Sequence, residues 1–304
     1  KFDISKKGNF EGLNILVEKN NIELKEEELN TLRVAIETLE KERNKRARPF
    51  FDNKVQTDLN CFWLYSNLYS SLVLSDNELY EKTIKSAKEL INKISNNICH
   101  CNEKKNNDRN VFLEDYSYLC LLLVSLYELE KDEKILSLCC ELMLNCWNLF
   151  FNENYGLLQK NVLKTNDLFV DPVDISDNNL PNGNSVYMLV CNKLKNITNE
   201  LDWQNKINIL GKTFHSYLNY NFSQMFSFIK ILDICEKNIT LTFNGDYKNY
   251  KKILKQININ YLVDSTIIHK ENKNETFVII CKNQTCSNKL TTSIEIDNYL
   301  KKLN

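Results

Sequence analysis

The chain has 304 residues with 43% hydrophobic and 26% charged content, enough for one large core or two domains. Lysine plus arginine number 39 and aspartate plus glutamate 40, so no global basic field exists to gather nucleic acid or an anionic membrane surface. No apolar run reaches the roughly 18 residues of a membrane span, so neither a nucleic-acid nor a membrane partner is expected.

The eleven cysteines are an odd number. Most, including Cys120, Cys139, Cys140, Cys146 and Cys191, lie in apolar helical stretches. That placement suits reduced thiols used as small core residues, and so a cytoplasmic or other reducing compartment. The chain opens on Lys1 without a signal-peptide pattern, inside a stretch that reads as ordered. It is expected to be part of something longer.

In chain order, residues 26–46 read as a helix with Leu29, Leu32, Ile36 and Leu39 on one stripe. Its start is acidic and its end basic (Arg43, Lys45, Arg46), which matches the macrodipole. The basic cluster therefore reads as a solvated helix end rather than an anion site. Residues 57–74 (Trp63, Leu64, Tyr65, Leu68, Tyr69, Leu72) are apolar nearly all round, the pattern of a buried helix. Ser75-Asp76-Asn77-Glu78 is a capping-box pattern. The helix after it, 78–95, places Tyr80, Ile84, Ala87, Ile91 and Ile94 on a single apolar stripe. Residues 99–110 read as a flexible polar insertion.

The pair then repeats. Residues 116–129 are apolar all round, and 132–150 follow as an amphipathic partner. A third pair is 185–195 with 201–218, and 221–235 reads as a further buried helix. Buried helices alternating with half-exposed ones describe helical hairpins in two layers. Closed into a ring, this is an α/α toroid; three to four hairpins make only part of one. After Cys235 the pattern changes to strands at 239–243, 266–268 and 276–281, with helices at 247–257 and 294–303. This is a small α/β appendage with a βαβ pattern. The fold class is mainly α, with 1–236 as the toroid portion and 237–304 as the C-terminal α/β subdomain.

Three prolines and six glycines in the whole chain make Pro181 and Gly183 punctuation. They sit in Asp174-Ile175-Ser176-Asp177-Asn178-Asn179-Leu180-Pro181-Asn182-Gly183-Asn184-Ser185, directly before the apolar run from Val186. Such a loop is either an elaborate helix cap or part of a polar pocket.

Several stretches resemble the spermatogenesis-associated protein 20 family of thioredoxin-domain-containing proteins. Arg48-Pro49-Phe50-Phe51-Asp52-Asn53-Lys54-Val55-Gln56-Thr57-Asp58-Leu59-Asn60 is similar to its Arg-Pro-x-x-Asp-Asp-Lys-x-x-Thr-x-Trp-Asn motif. Leu113-Glu114-Asp115-Tyr116 is similar to its Leu-Glu-Asp-Tyr. Asp177 to Ser185 looks like its Asp-Gly-Ala-x-Pro-Ser-Gly-Asn-Ser. Gly8-Asn9-Phe10-Glu11-Gly12-Leu13-Asn14-Ile15-Leu16 and the Cys281, Cys286 pair complete the set, in the family's order. The resemblance implies an N-terminal thioredoxin-like domain followed by an α/α toroid of the six-hairpin glycosidase type, of which this chain is the C-terminal part. That domain is then an expected partner. The chain departs from the family at Asn53 (for Asp), Leu59 (for Trp), Asn178-Asn179 (for Gly-Ala) and Asn182 (for Ser). A site needing both carboxylates of the Asp-Asp pair, or the indole, is impaired here.

Each main motif precedes a buried helix, and inner helices of a toroid run parallel, so their N-terminal ends open on one face. The motifs are therefore expected to meet at a common mouth. There Asp52, Glu114, Asp115 and Asp177 are the candidate catalytic carboxylates for acid/base work on a glycosidic bond. Lys54, Asn60, Tyr116, Asp174, Asn184 and Ser185 are the candidate ligand contacts, and the expected ligand is a sugar-like small molecule. The structural readings stand beside these. Asp115 and Ser185 suit helix caps, Asp177 suits loop organisation, Gly183 a positive φ, and Lys54 an ion pair.

No metal or cofactor is expected: Cys99-His100-Cys101 lacks zinc-site spacing. Cys281 and Cys286 read as structural thiols rather than a redox pair. His215 reads as a structural residue, and no histidine falls in a mouth motif, which argues against histidine-based epimerase chemistry. Two functions remain. One is a hydrolase- or isomerase-like carbohydrate pocket. The other is a non-catalytic scaffold for a thioredoxin-like domain or a protein partner.

Overall fold

The computed structural model describes residues 2–18, 23–94, 98–101, 111–162, 173–283 and 285–303. Of the expected polar insertion at 99–110, residues 102–110 lie outside the described residues. The chain forms two compact units, Lys1–Asn53 and Lys54–Asn304.

In the first unit, the stretch from Gly8 to Leu16 folds as a tight loop. The Asn9 side chain donates to the Asp3 and Ile15 carbonyls and accepts from the Ile15 N–H. Asn14 and Ser5 exchange two hydrogen bonds. Gly8 has φ 78°, and a Cβ there would lie 2.5 Å from the Leu13 carbonyl oxygen, so only glycine fits. Helix α1 (Glu26–Asn44) starts with three glutamates and ends with basic residues, and the Glu28 carboxylate accepts from the Lys25 N–H.

The second unit holds three consecutive hairpins: α2 (Thr57–Val73) with α3 (Asn77–Ile94), α4 (Leu113–Glu130) with α5 (Glu133–Phe150), and α6 (Gly183–Thr198) with α7 (Leu201–Asn221). Helix α4 packs on both α2 and α6, and each hairpin closes on itself. Helices α2, α4 and α6 thus make an inner layer and α3, α5 and α7 an outer one. This is the order of a partial α/α toroid, and the fold is mainly α. Helix α4 is buried at every position except Glu114 and Glu130, and α6 is buried from Gly183 to Leu194. Helix α3 buries the expected stripe of Tyr80, Ile84, Ala87, Ile91 and Ile94.

Two helices are less buried than their sequences suggest. Helix α2 buries Cys61, Leu64 and Leu68, while Trp63 is 60% exposed. Its main helical neighbours are α3, α4 and α10 (Ile259–Val263). The 221–235 stretch breaks into a 3-10 turn at Phe222–Gln224 and helix α8 (Phe226–Lys237), which buries only Phe228, Ile231 and Ile234.

A two-residue hairpin, β1 (Phe151–Asn152) and β2 (Leu157–Leu158), follows α5. Strand β3 (Ile239–Gly245) buries Ile239, Leu241 and Phe243 in alternation. Helices α9 (Tyr247–Leu254) and α10 cross over to β4 (Thr266–Glu271), which is parallel to β3, giving the expected βαβ unit. Strands β5 (Phe277–Lys282) and β6 (Thr285–Cys286) complete the order β4-β3-β5-β6, and α11 (Ser293–Leu303) packs on β5. This α/β segment shares a compact unit with the hairpins.

Cys281 and Cys286 are joined by a disulfide, not left as thiols. The antiparallel β5–β6 register sets them opposite one another, which their spacing alone does not reveal. The other nine cysteines form no disulfide. Among the described residues no helix is long and apolar enough to cross a membrane.

The C-terminal ends of α4 and α6 are closed by a buried ion pair. Lys193 Nζ donates to both Glu128 oxygens at 2.9 Å and to the Ser265 carbonyl at 2.7 Å. Glu128 also accepts the Ile267 N–H at 3.0 Å. Removing one partner strands the other charge in the core. Lys193→Met is therefore expected to lower stability by about 3–5 kcal/mol. The double variant Glu128→Gln/Lys193→Met should recover much of that loss. Denaturant unfolding measures both.

Candidate functional site

The opposite ends of the inner helices open into a polar cavity of about 390 Å³. Its wall comes from the start of α2 (Gln56, Asp58), from residues 98–101 (His100), from the start of α4 (Glu114, Tyr118), from Lys160, and from the loop before α6. Three stretches far apart in sequence do meet at one mouth.

Local rules explain how each stretch is held. The segment carrying His100 runs against the first turn of α2. There the Thr57 N–H donates to the His100 carbonyl and the Thr57 hydroxyl to the Cys99 carbonyl. At α4, Asp115 accepts the Phe112 N–H through Oδ2, which satisfies a free donor of the first turn. Its Oδ1 accepts from the Asp58 N–H at 3.2 Å and from His100 Nδ1 at 3.0 Å. At α6, the Asn182 carbonyl side chain caps the helix by accepting from the N–H groups of Asn184 and Ser185.

The loop before α6 is tied down by its own polar side chains. Asp177 accepts the Asn182 N–H, the Ser227 N–H and the Ser227 hydroxyl. Asp174 accepts the Ser176 N–H and the Asn178 amide. The Tyr118 hydroxyl donates to the Pro181 carbonyl and so fastens the loop to α4. Gly183 does not adopt a positive φ, contrary to expectation. It opens α6, and its lack of a side chain matters for space. A Cβ there would lie 3.0 Å from Leu113 Cγ and 3.2 Å from Glu114 Oε1.

Asp52 is exposed and belongs to the Lys1–Asn53 unit. Within Lys54–Asn304, several expected site residues do not line the cavity. Lys54 is exposed and outside the wall. Asn60 lines a separate groove between α2 and α3 and donates to the Gln56 carbonyl. Tyr116 is buried, with its ring edge against Phe150 at 5.7 Å. Asn184 is buried and clamps Leu158 through both its N–H and its carbonyl. Ser185 is buried within the first turn of α6. Asp174 and Glu114 do line the cavity.

The sequence reading passed over Asp58, His100, Tyr118 and Lys160 as site residues. A histidine, His100, stands at the mouth although it lies outside the mouth motifs. Asp58 lay inside a recognised motif, but its neighbour Asp52 drew the assignment. Nothing in spacing brings His100 to Asp58, because the contact is made by a coil returning to a helix end.

Glu114 is the distinctive group. Its Oε2 is buried with no hydrogen-bond partner among the described residues. Burial pushes its carboxyl above the usual range; the helix N–H and Lys160 oppose this, and Asp115 and Asp174 add to it. Burial likewise raises Asp115, against the pull of the Phe112 N–H and His100.

No protein-family model and no curated protein matches the chain. Among solved structures it is similar to an α-1,6-mannanase from Salegentibacter sp. HEL1_6, at 14% identity and TM-score 0.42, over 62% of this chain and 54% of that one. Inactive variants of that mannanase in complex with α-1,6-mannotriose and α-1,6-mannotetrose match at 13% identity and TM-score 0.41. The chain thus spans about half the length of these proteins. At these values the likeness carries no argument about its chemistry.

A carboxyl whose folded pKa is raised contributes stability below its unfolded value, and that contribution is lost as pH rises through the folded value. Glu114→Gln keeps the shape and removes the charge. Its denaturation midpoint should match the parent near pH 4 and exceed it increasingly towards pH 7. An unchanged gap across that range would mean that Glu114 is well solvated.

Proposed function

We propose that the mouth binds a neutral, hydroxyl-rich small molecule of sugar-like chemistry, with Glu114 as its proton donor. The reading is carried by the unpartnered, buried Oε2 of Glu114 on the cavity wall. A carboxyl held above its usual range stays protonated longer, and a protonated carboxyl needs an acceptor. A glycosidic or hydroxyl oxygen supplies one. Asp58 offers a second carboxylate, and Asn178 and Asn179 offer amides able to read hydroxyl groups. At about 390 Å³ the cavity falls in the lower part of the range for small-molecule sites, roughly 300–1,000 Å³. The reaction class that suits this set is acid–base chemistry at a sugar oxygen, as in a glycoside hydrolase or sugar isomerase.

The resemblance of the sequence motifs to the spermatogenesis-associated protein 20 family supports a place for these hairpins beside a thioredoxin-like domain. The scaffold reading draws on one observation: Asp177, Asn182 and Asn184 are all engaged by backbone groups.

Calorimetric titration with a panel of mono- and disaccharides tests the proposal, together with turnover of aryl glycosides. Glu114→Gln is expected to keep binding within a few-fold and to lower turnover by about 10²–10⁴, the usual contribution of a general acid. If no sugar binds, and no glycoside turns over, the pocket reading fails and the scaffold reading stands.

A further inference from the structure

We propose that Asp58, His100 and Asp115 form a divalent-cation site with an open position towards the cavity. The three offer one ligand atom each, and all three atoms lie within 4.8 Å of one another. His100 Nδ1 is 3.0 Å from Asp115 Oδ1 and 3.9 Å from Asp58 Oδ1. Ligand atoms around a tetrahedral ion with bonds of about 2.0–2.2 Å stand roughly 3.3–3.6 Å apart, and the two His100 separations fall on either side of that range.

The electrostatics point the same way. Asp115 is fully shielded from solvent and Asp58 is only 15% exposed. Two carboxylates brought together away from water need a compensating positive charge. The His100 ring faces both, at 3.9 and 3.0 Å.

The other imidazole nitrogen has a partner able to orient the ring for a metal. His100 Nε2 lies 3.0 Å from the terminal amide of Gln56. The two ends of that amide are interchangeable in assignment. A cation entering the cluster would displace the proton that Nδ1 donates to Asp115, and with its oxygen turned inward Gln56 would then accept Nε2–H and leave the Nδ1 lone pair to the metal. A metal-binding histidine is characteristically oriented in this way through its second nitrogen.

One imidazole and two carboxylates suit zinc and its first-row neighbours. Three protein ligands leave a fourth position. Asp58 and His100 both line the cavity, so that position faces the space where a water or ligand hydroxyl sits. Cys99 and Cys101 flank His100 and are not disulfide-bonded, so the test must separate oxygen and nitrogen ligation from sulfur.

Cobalt(II) does so, because thiolate ligation adds an intense sulfur-to-metal absorption band that a nitrogen and oxygen set lacks. The chelator-treated protein is titrated with Co²⁺ alone. We expect one equivalent bound, weak visible bands, no sulfur band, and displacement by Zn²⁺. His100→Gln and Asp58→Asn should each weaken binding at least about tenfold while helix content, read by circular dichroism, is unchanged. Either variant suffices if the other does not fold. No binding, a sulfur band, or equal binding by a folded variant overturns the site. The readout is the metal's own spectrum, so its failure leaves the sugar reading untouched, and the reverse also holds.

Discussion

The pairing of Glu128 with Lys193 sets what the rest of the second unit can do. Each charge alone in that interior would cost several kcal/mol. Together, with the Ser265 carbonyl and the Ile267 N–H, they satisfy one another. The four groups come from α4, α6, strand β4 and the residue just before it, so the arrangement fixes two helices axially and seats the sheet across their ends. The Tyr250 hydroxyl, donating to the Glu128 carbonyl, adds α9 to the same knot. A sliding of α4 against α6 by one turn would strand both charges. Register at this end is therefore specified chemically as well as by packing.

That register is transmitted to the mouth because helices are stiff. Glu114 and Glu128 are on one helix, separated by about 21 Å at 1.5 Å per residue. The end held by the ion pair decides where the first turns of α4 and α6 stand, and hence where Glu114 meets Gly183. The sheet closes the far end, and the N-terminal ends are left to line a cavity. Helix N-termini carry unsatisfied N–H groups and positive partial charge, so a mouth built from three of them gathers carboxylates and amides. Most of these are used up in organising the backbone. Asp177, Asn182 and Asn184 hold a loop that would otherwise bury unpaired groups. Glu114, Asp58 and His100 are among those that line the wall.

The cysteines divide along the same architectural line. Cys61, Cys120, Cys139, Cys146 and Cys191 sit in the helical core, where burial raises each thiol above its usual range. They pack as small apolar groups and are poor nucleophiles. Cys281 and Cys286 lie at the far edge of the sheet, opposite one another on adjacent strands, and are bonded. One chain thus holds thiols whose burial keeps them unreactive and a pair whose register makes it a cross-link.

By itself the sequence determined the hairpins. Apolar periodicity shows that 116–129 is surrounded and that 78–95 has one dry face, because a helix's burial is written into which of its positions tolerate water. The same local logic identified the loop before Val186, and parallel inner helices implied a shared opening. What periodicity could not show is which polar residues at that opening are free. Asp177 and Asn184 look like ligand groups in sequence, but the structure engages them with Ser227 and Leu158, partners about 50 and 26 positions away. His100 looks like part of an insertion, and only the return of its coil to the start of α2 places it beside Asp58 and Asp115. The exposure of Trp63, the shielding of Glu114 and the joining of Cys281 to Cys286 were likewise decided in three dimensions. Each depends on what lies across a gap rather than along the chain, and hydrogen bonds and desolvation act through space with no sequence period to announce them.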